Sequence, residues 1–299
     1  MSVLLFVYRT KSPTTVDVYI DFYAQDSYSG VMTRKVRKRF LIGATASAQL
    51  VVIVHIAVIL FLFLFSRGLE TLDKQQLIVH GGNTELLIAI LALQAAAAAG
   101  AQLGLYLFFR KTPSPEVFFF QFALLGFAFS SLRVLAIPMS YYLTSLFSFL
   151  PLTKFVFFGR LFAVMCLFLS GLFSTGLTFQ KQGSYLAGAF LISAVIAFSL
   201  PVDCTNFSLP LICDTGNTID FSLGIYVLGI FSVLNYIYAA GLHSNRDYSF
   251  NAVAVLTVII GMQFVYYFAH STLGILGLVL VLLGTFIFAH RTHTIYLWF

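Results

Sequence analysis

RKVRKRFLIGATASAQLVVIVHIAVILFLFLF, residues 34–65, places a basic cluster directly before a long apolar run. A helix needs roughly 20 apolar residues to cross about 30 Å of hydrocarbon, and the run from 41 to 65 is long enough. The whole chain is 60% hydrophobic and 9% charged, with a mean hydropathy of +0.94. A soluble globule could not bury that much apolar surface, because much of any globule is exterior. The stretch therefore predicts an all-α, polytopic transmembrane helix bundle.

Similar apolar runs recur along the chain and predict eight membrane-spanning helices. Only helices and closed barrels satisfy their backbone polar groups in hydrocarbon, and a barrel would show alternating segments of about 10 residues. The expected spans are about 41–65, 85–109, 116–138, 155–179, 184–202, 218–242, 251–269 and 273–290. Seven spans would remain if one segment were re-entrant.

The number of spans depends mainly on two boundaries, one between the last two spans and one at the end of the third. One helix over 252–289 would reach about 57 Å at 1.5 Å per residue, too long for a single crossing. The polar triplet His270-Ser271-Thr272 is therefore expected to separate the last two spans. Pro138 is expected to interrupt the third span near its end, and 139–154 to form a short interfacial helix.

Residues 1–40 form a polar N-terminal segment, and 291–299 a short C-terminal tail. TVDVYIDFY, residues 15–23, alternates between apolar and polar side chains, which is the period of a half-buried strand. The apolar run at 3–8 could pair with it as a β-hairpin. The alternative is a tail that orders only on a partner, because an isolated hairpin is marginally stable.

The basic residues predict the orientation of the bundle. With the N-terminus inside, twelve Lys and Arg residues fall in inner segments and three, Arg67, Lys74 and Lys154, in outer segments. The positive-inside rule then places both termini in the cytoplasm. The cluster next to the first span is expected to contact anionic lipid headgroups, at about 1 kcal/mol per residue. Its members are Arg34, Lys35, Arg37, Lys38 and Arg39.

DCTNFSLPLICDTGN, residues 203–217, is an outer connection by this topology. An oxidising exterior would favour a disulfide between Cys204 and Cys213, which would stabilise the fold by about 2–3 kcal/mol. Two free thiols in a reducing compartment are the alternative. Asn206 begins a glycosylation sequon that matters only in a lumenal loop. No metal site is expected, because no His lies near the pair.

Arg133 and Arg160 map to the outer leaflet, late in the third span and early in the fourth, with Lys154 close by. Arginine binds carboxylate and phosphate through two hydrogen bonds. The three residues are therefore candidates for binding an anion or a lipid headgroup. The alternative is pairing with Glu85 or Asp220, or extension of the side chains to the interface.

Two stripes of polar residues follow helical spacing in the sixth and seventh spans. The stripes are Ser232, Asn235, Tyr236 and His243 in the inner half of one span, and Gln263, Tyr266, Tyr267 and His270 in the outer half of the other. They could line a hydrated path from opposite sides. More often such groups form interhelical hydrogen bonds, worth about 0.6 kcal/mol each.

His55 lies near the centre of the first span. A neutral His bonded within the bundle is the favoured interpretation over a ligand or a proton relay. No second His lies at similar depth, so a bis-histidine haem is not expected, and His290 and His293 are interpreted as interfacial residues.

Small residues predict where helices approach closely. Gly100 and Gly104 form a G-x-x-x-G pair that is expected to pack inside the bundle. Gly274, Gly277 and Gly284 offer a second smooth surface in the last span.

The sequence contains no phosphate-binding Gly loop, H-E-x-x-H or G-x-S-x-G motif. We therefore expect no catalytic residues, no cofactor, no metal and no nucleic-acid partner. The favoured hypothesis is a non-catalytic subunit or sensor of a larger membrane assembly, with residues 1–40 docking a protein partner. The alternatives are a transporter or channel for an anionic or lipid-like solute, and, third, a lipid-handling membrane enzyme.

Overall fold

The structure is a computed structural model that describes residues 34–64, 84–109, 114–142, 149–176, 182–209, 211–215 and 218–297. The expected N-terminal hairpin lies outside these residues. The helices are α1 (Arg34–Leu64), α2 (Thr84–Phe108), α3 (Pro115–Ser130), α4 (Ala136–Tyr142), α5 (Phe149–Ser174), α6 (Gln182–Ser199), α7 (Thr218–His243), α8 (Arg246–Phe268) and α9 (Thr272–Leu297). A 3-10 helix, Ser131–Leu135, joins α3 to α4, and strands β1 (Val202–Leu209) and β2 (Ile212–Thr215) lie between α6 and α7.

Within this described part, eight helical segments are long and apolar enough to cross a membrane. The third consists of α3 with the following 3-10 turn and the start of α4, Pro115–Met139. These segments confirm the prediction of a helical, multi-pass membrane protein. Their ends differ from the predicted spans by a few residues in most cases, because composition alone does not show where a helix is capped.

Local signals explain two of the helix starts. Ser114 precedes α3, and its hydroxyl accepts a hydrogen bond from the amide of Val117 at 3.4 Å, with Pro115 in the first helical position. Asn245 precedes α8, and its side-chain oxygen accepts from the amide of Asp247 at 2.9 Å. Both satisfy helix amides that have no partner within the helix.

The last two long helices are separate, as the polar triplet predicts. Helix α8 ends at Phe268, whose carbonyl accepts a hydrogen bond from the amide of Ser271 at 3.0 Å, and α9 begins at Thr272. The two helices then pack backbone to backbone. A Cβ added at Gly277 would lie 2.8 Å from the carbonyl oxygen of Gly261, and one at Gly284 would lie 2.7 Å from that of Ala254. The smooth surface predicted in the last span is therefore a helix–helix contact.

The helices α3 and α5 form the centre of the bundle. In their most apolar stretches, 72% and 78% of residues are buried, against 28% in α1, 22% in α6 and 28% in α7. Their backbones touch at Gly126 and Gly159, where a Cβ on Gly126 would lie 2.7 Å from the carbonyl oxygen of Gly159. The peripheral helices present their apolar side chains outward, as expected where lipid is the solvent.

The expected contact at Gly100 and Gly104 is wrong. A Cβ added at either glycine would meet nothing within 4 Å, and both residues are exposed on α2. The motif signals only that a close approach is sterically allowed, and here the close approaches use glycines of α3, α5, α8 and α9.

The irregularity in the third span begins at Ser131, before Pro138. The hydroxyls of Ser130 and Ser131 donate to the carbonyls of Phe127 and Ala128, at 2.8 and 2.7 Å. Gln94 of α2 donates to the same Phe127 carbonyl at 2.8 Å. These side chains compete for carbonyls that would otherwise accept from the next helical turn. The expected interfacial helix over 139–154 is also corrected, since residues from 149 onward belong to α5.

The outer connection forms an antiparallel hairpin that pairs Val202 with Thr215 and Asp203 with Asp214. A disulfide joins Cys204 to Cys213, whose Cα atoms are 4.6 Å apart, as predicted. The amide of Cys213 donates to the hydroxyl of Thr153 at 3.3 Å, which ties the hairpin to the start of α5. The side chain of Asn206 is outside the described residues.

Candidate functional site

Three chain segments bring polar residues together at the end of the bundle that carries the hairpin. They are the 3-10 turn after α3, the first half of α5 and the end of α8. We call the group that they form the arginine cluster. It consists of Arg133, Arg160, Gln263, Tyr266 and Tyr267.

Arg133 binds the end of α8. It is 1% exposed, and its Nη1 and Nη2 atoms donate to the carbonyls of Tyr266 and Val265, both at 3.0 Å. Because α8 ends at Phe268, these carbonyls lie in its last turn, where backbone carbonyls begin to lack donors within the helix. A cation at a helix C-terminus is also favoured by the helix dipole. Arg133 is therefore held by backbone oxygens. These bonds do not pair it with Glu85 or Asp220, the acids considered as alternative partners.

Arg160 lies against aromatic rings. Its guanidinium carbon is 3.8 Å from the centre of the Tyr266 ring, 5.1 Å from that of Tyr267 and 5.9 Å from that of Phe221. It donates to the side-chain oxygen of Gln263 and to the Tyr267 hydroxyl, the latter at 3.1 Å. Cation–π contacts of this kind are strongest when the cation is desolvated, and Arg160 is only 6% exposed.

The two arginines share one ring, since the Arg133 guanidinium also lies over Tyr266, at 5.6 Å. Within the described part of the chain, their hydrogen-bond partners are carbonyl, amide and hydroxyl oxygens, all uncharged. The Nε atoms of both arginines are buried without a partner there. Two like charges at one site repel each other in a low dielectric. The site therefore has an excess of positive charge and unused donors, which suits an anion.

Helix α7 adds a residue that the sequence did not single out. The hydroxyl of Ser222 lies 3.0 Å from that of Tyr267. A signal was available, because Ser222 falls near the start of the sixth span, at the depth of Arg160. The hydroxyl links α7, through Tyr267, to the arginine cluster.

Lys154 and His270 do not join the described bonds of the cluster. Lys154 donates to the carbonyl of Phe198 at the end of α6, at 2.7 Å. His270 lies in the turn after α8, and its Nδ1 atom is buried without a partner in the described residues. Of the three basic residues grouped by the sequence, the structure brings two together.

The polar stripe of α7 packs against α5. Tyr236 is fully buried, and its hydroxyl lies 2.7 Å from that of Ser170. Nε2 of His243 lies 3.2 Å from the carbonyl of Ser174. A Cβ on Gly171 would lie 2.7 Å from the carbonyl of Ser232, so α5 and α7 touch at this level. These contacts join α7 to α5 by hydrogen bonds and close packing. They fit the interhelical-bond interpretation of this stripe better than a hydrated path. Asn235 has its Nδ2 atom unpaired among the described residues.

Glu116 was missed by the sequence reasoning. It lies in the first turn of α3, where an acid is ordinarily explained by the helix dipole and by exposure to water. The structure instead buries it to 2% exposure, with Oε2 unpaired among the described residues. Nothing in the local sequence Ser114-Pro115-Glu116 distinguishes a buried acid from an exposed one.

Arg37 was expected to contact lipid headgroups, and this expectation is wrong. The side chain is buried, donates to the carbonyl of Ser114 and lies 5.3 Å from the centre of the Phe118 ring. Lys38 and Arg39 are exposed on the same helix. The side chains of Arg34 and Lys35 are outside the described residues. A basic run next to a span shows which end of a helix is positive, but not which members turn inward.

His55, His290 and His293 have structural contacts. Nδ1 of His55 lies 2.8 Å from the carbonyl of Val51, while Nε2 is buried and unpaired in the described part. His293 packs on Phe108 at 4.6 Å between ring centres, and His290 stacks on Phe286 at 6.3 Å. Among the described residues, no group of three or more His, Cys, Asp or Glu side chains could hold a metal ion.

Comparison of the chain with protein-family models, with curated proteins and with solved structures found no match.

Proposed function

We propose that this chain is a non-catalytic membrane component of sensor or subunit type, in which the arginine cluster binds an anionic group. The observation that carries the proposal is the environment of Arg160. Its charge is buried against the Tyr266 ring and bonded to the uncharged side chains of Gln263 and Tyr267. A carboxylate or a phosphate would supply the missing negative charge.

The two arginines have different hydrogen-bond partners, which suggest different roles. Arg133 is committed to the last carbonyls of α8, so it positions the end of that helix. Arg160 is bonded to side chains that can rotate, and Ser222 extends the same chain of hydroxyls into α7. Binding of an anion to Arg160 would therefore change contacts between α5, α7 and α8. A ligand that alters the contacts between helices is what a sensor requires.

Within this proposal, the chain is oriented with both termini in the cytoplasm, and residues 1–40 dock a cytoplasmic or membrane protein subunit. The exposed residues Lys38 and Arg39 lie at the start of α1, where they would contact anionic lipids. The eight apolar helices would all span the bilayer.

A transporter of an anionic or lipid-like solute is the second candidate. The observation that favours it is the presence of buried ionisable groups at both ends of the bundle, Arg160 at one and Glu116 at the other. The tight packing of Tyr236 and Gly171 at the second end favours the sensor or subunit.

Ligand binding is tested on the full chain in detergent by thermal unfolding. The probes are inorganic phosphate, phosphatidylglycerol and, as the uncharged control, phosphatidylcholine. An anionic probe should raise the Tm of the wild type and of Arg246→Gln, an exposed control, but not that of Arg160→Gln. Ligands that bind only the folded state stabilise it by mass action. Equal shifts in all three proteins, or no shift in any, would refute binding at Arg160.

The class of function is tested by co-purification and flux. Deletion of residues 1–30 should remove the protein partners that co-purify in mild detergent and leave the bundle intact by size-exclusion chromatography. Proteoliposomes of the pure chain should show no solute flux. Flux that is lost on Arg160→Ala would overturn the sensor or subunit and establish the transporter.

A further inference from the structure

Glu116 lies at the end of the bundle away from the arginine cluster. It is a buried acid in the first turn of a helix that forms part of a membrane-spanning segment. Ionisable residues at such positions are rare and usually functional. Its Oε2 atom has no hydrogen-bond partner in the described part of the chain. An oxygen that is buried and unpaired in this way can accept a further ligand.

Hydroxyl groups of α5 and α7 lie next to the backbone of Glu116. Ser170 of α5 donates to the backbone carbonyl of Glu116 at 2.8 Å and lies 2.7 Å from the hydroxyl of Tyr236 of α7. Tyr236, Tyr248 of α8 and Tyr296 of α9 all lie within electrostatic range of the Glu116 carboxyl. The environment is therefore rich in neutral oxygen atoms, which are the ligands that hard cations prefer.

The charged and titratable groups nearby have other partners. Arg37 of α1 donates to the carbonyl of Ser114 and lies over Phe118. The His243 ring of α7 packs against Tyr248 at 5.3 Å. Arg291 of α9 pairs with Asp247 of α8 at 3.3 Å. None of these bonds joins a basic side chain to the Glu116 carboxyl within the described residues.

A carboxylate charge inside a protein requires a nearby counter-charge, because its removal from water costs several kcal/mol. From the burial of Glu116, its unpaired oxygen and the nearby hydroxyls of Ser170 and Tyr236, we propose that Glu116 binds a monovalent cation, H⁺ or Na⁺. The cation neutralises the carboxylate, and these hydroxyls supply neutral oxygens near it. Arg160 and Ser170 are about 15 Å apart along α5, so this site is independent of the arginine cluster.

The test uses labelling of the full chain in detergent with dicyclohexylcarbodiimide, an apolar reagent that adds to protonated carboxyl groups. Glu116 should be labelled, as located by peptide mass spectrometry. If the cation is Na⁺, NaCl at about ten times its dissociation constant should slow labelling about tenfold relative to choline chloride, because only the unoccupied fraction reacts. If the cation is H⁺, labelling should fall as the pH rises and should not respond to NaCl.

Two variants complete the design. Glu116→Gln keeps the shape of the side chain and should lose the label, whereas Glu85→Gln changes an exposed acid in the first turn of α2 and should not affect it. In the Na⁺ case, NaCl should also raise the Tm of the wild type and of Glu85→Gln, but not that of Glu116→Gln. The proposal is overturned if Glu116 stays unlabelled in the folded chain at every pH, or if its labelling responds to neither pH nor Na⁺.

Discussion

Arg133 illustrates how a buried charge can be a structural element. Its side chain is 1% exposed, yet its guanidinium group donates to two carbonyls in the last turn of α8. The bonds join the end of the third apolar segment to the end of the seventh, across more than a hundred residues of sequence. The side chain thus fixes a contact on which the arginine cluster depends, because Tyr266 contributes both its carbonyl to Arg133 and its ring to Arg160.

Replacement of Arg133 should therefore destabilise the bundle strongly. Hydrogen bonds to charged groups contribute about 1.5–3 kcal/mol each, and Arg133→Met removes two of them, so we expect a loss of about 3 kcal/mol or more. The measurement is the free energy of unfolding in an SDS titration. Arg39→Met, which removes an exposed charge, is the matched control and should change it by less than about 0.5 kcal/mol. Equal losses in the two variants would contradict this role.

At the level of single residues, the sequence identified the positions better than their partners. Arg133 and Arg160 stand out because charge is rare in apolar runs. Gln263 and Tyr267 were also identified, but as a polar stripe of the seventh span and not as the partners of Arg160. The acceptors of Arg133 were not, since a backbone carbonyl carries no residue type. Glu116 was missed for a related reason. An acid in the first turn of a helix is common, and only tertiary packing decides whether it is exposed or buried.

The central pair of helices depends on two glycines. A side chain at Gly126 would meet the backbone of α5 at 2.7 Å, and one at Gly159 would meet the carbonyl of Gly126 at 2.9 Å. Neither neighbour is a flexible side chain, so the helices would have to separate. Close backbone approach at small residues is a main source of stability between helices in membranes.

Gly126→Ala should destabilise the bundle by about 1–3 kcal/mol, the usual cost of overpacking. Gly100→Ala is the matched control, because a Cβ there meets nothing within 4 Å and alanine is the better helix former. It should leave the free energy of unfolding unchanged or raise it slightly. The comparison would fail if Gly100→Ala proved as costly as Gly126→Ala, which would indicate that α2 packs on a second surface.

The hairpin is held by the disulfide and by the bond from Cys213 to Thr153. Cys204→Ser with Cys213→Ser should lower the free energy of unfolding by about 2–3 kcal/mol, because the cross-link restricts a short loop of the unfolded chain. Alkylation of the denatured, unreduced protein should modify only Cys166, and all three cysteines after reduction. Modification of three cysteines without reduction would show that the pair is not oxidised.

At the level of elements, hydropathy predicted the apolar helices and their order but not their irregularities. Length and composition show where a chain can span a membrane. The 3-10 turn after α3 depends on Gln94 and on two serine hydroxyls, which compete for helix carbonyls. The loop predicted at 203–217 is a β-hairpin because strand pairing satisfies backbone groups that an apolar scale does not count.

Over the described part of the molecule, several charged groups lie toward one end of the bundle or the other. The arginine cluster, Lys154 and the hairpin lie at the end where α6 terminates, while Glu116, Arg37 and Asp247 lie at the other. Antiparallel succession of long helices produces this separation, since alternate helix ends fall on the same side. This separation does not show which end faces the cytoplasm. The distribution of Lys and Arg predicts that orientation.

That orientation can be measured with two isosteric substitutions. Ser199 and Ser244 are exposed at the ends of α6 and α7, and Cys166 is buried. We expect a membrane-impermeant maleimide to label Ser199→Cys in intact cells and Ser244→Cys only after permeabilisation. The reason is the positive-inside rule, with twelve basic residues on one side against three on the other. Labelling of Ser244→Cys from outside would invert the bundle and would place the arginine cluster at the cytoplasmic face.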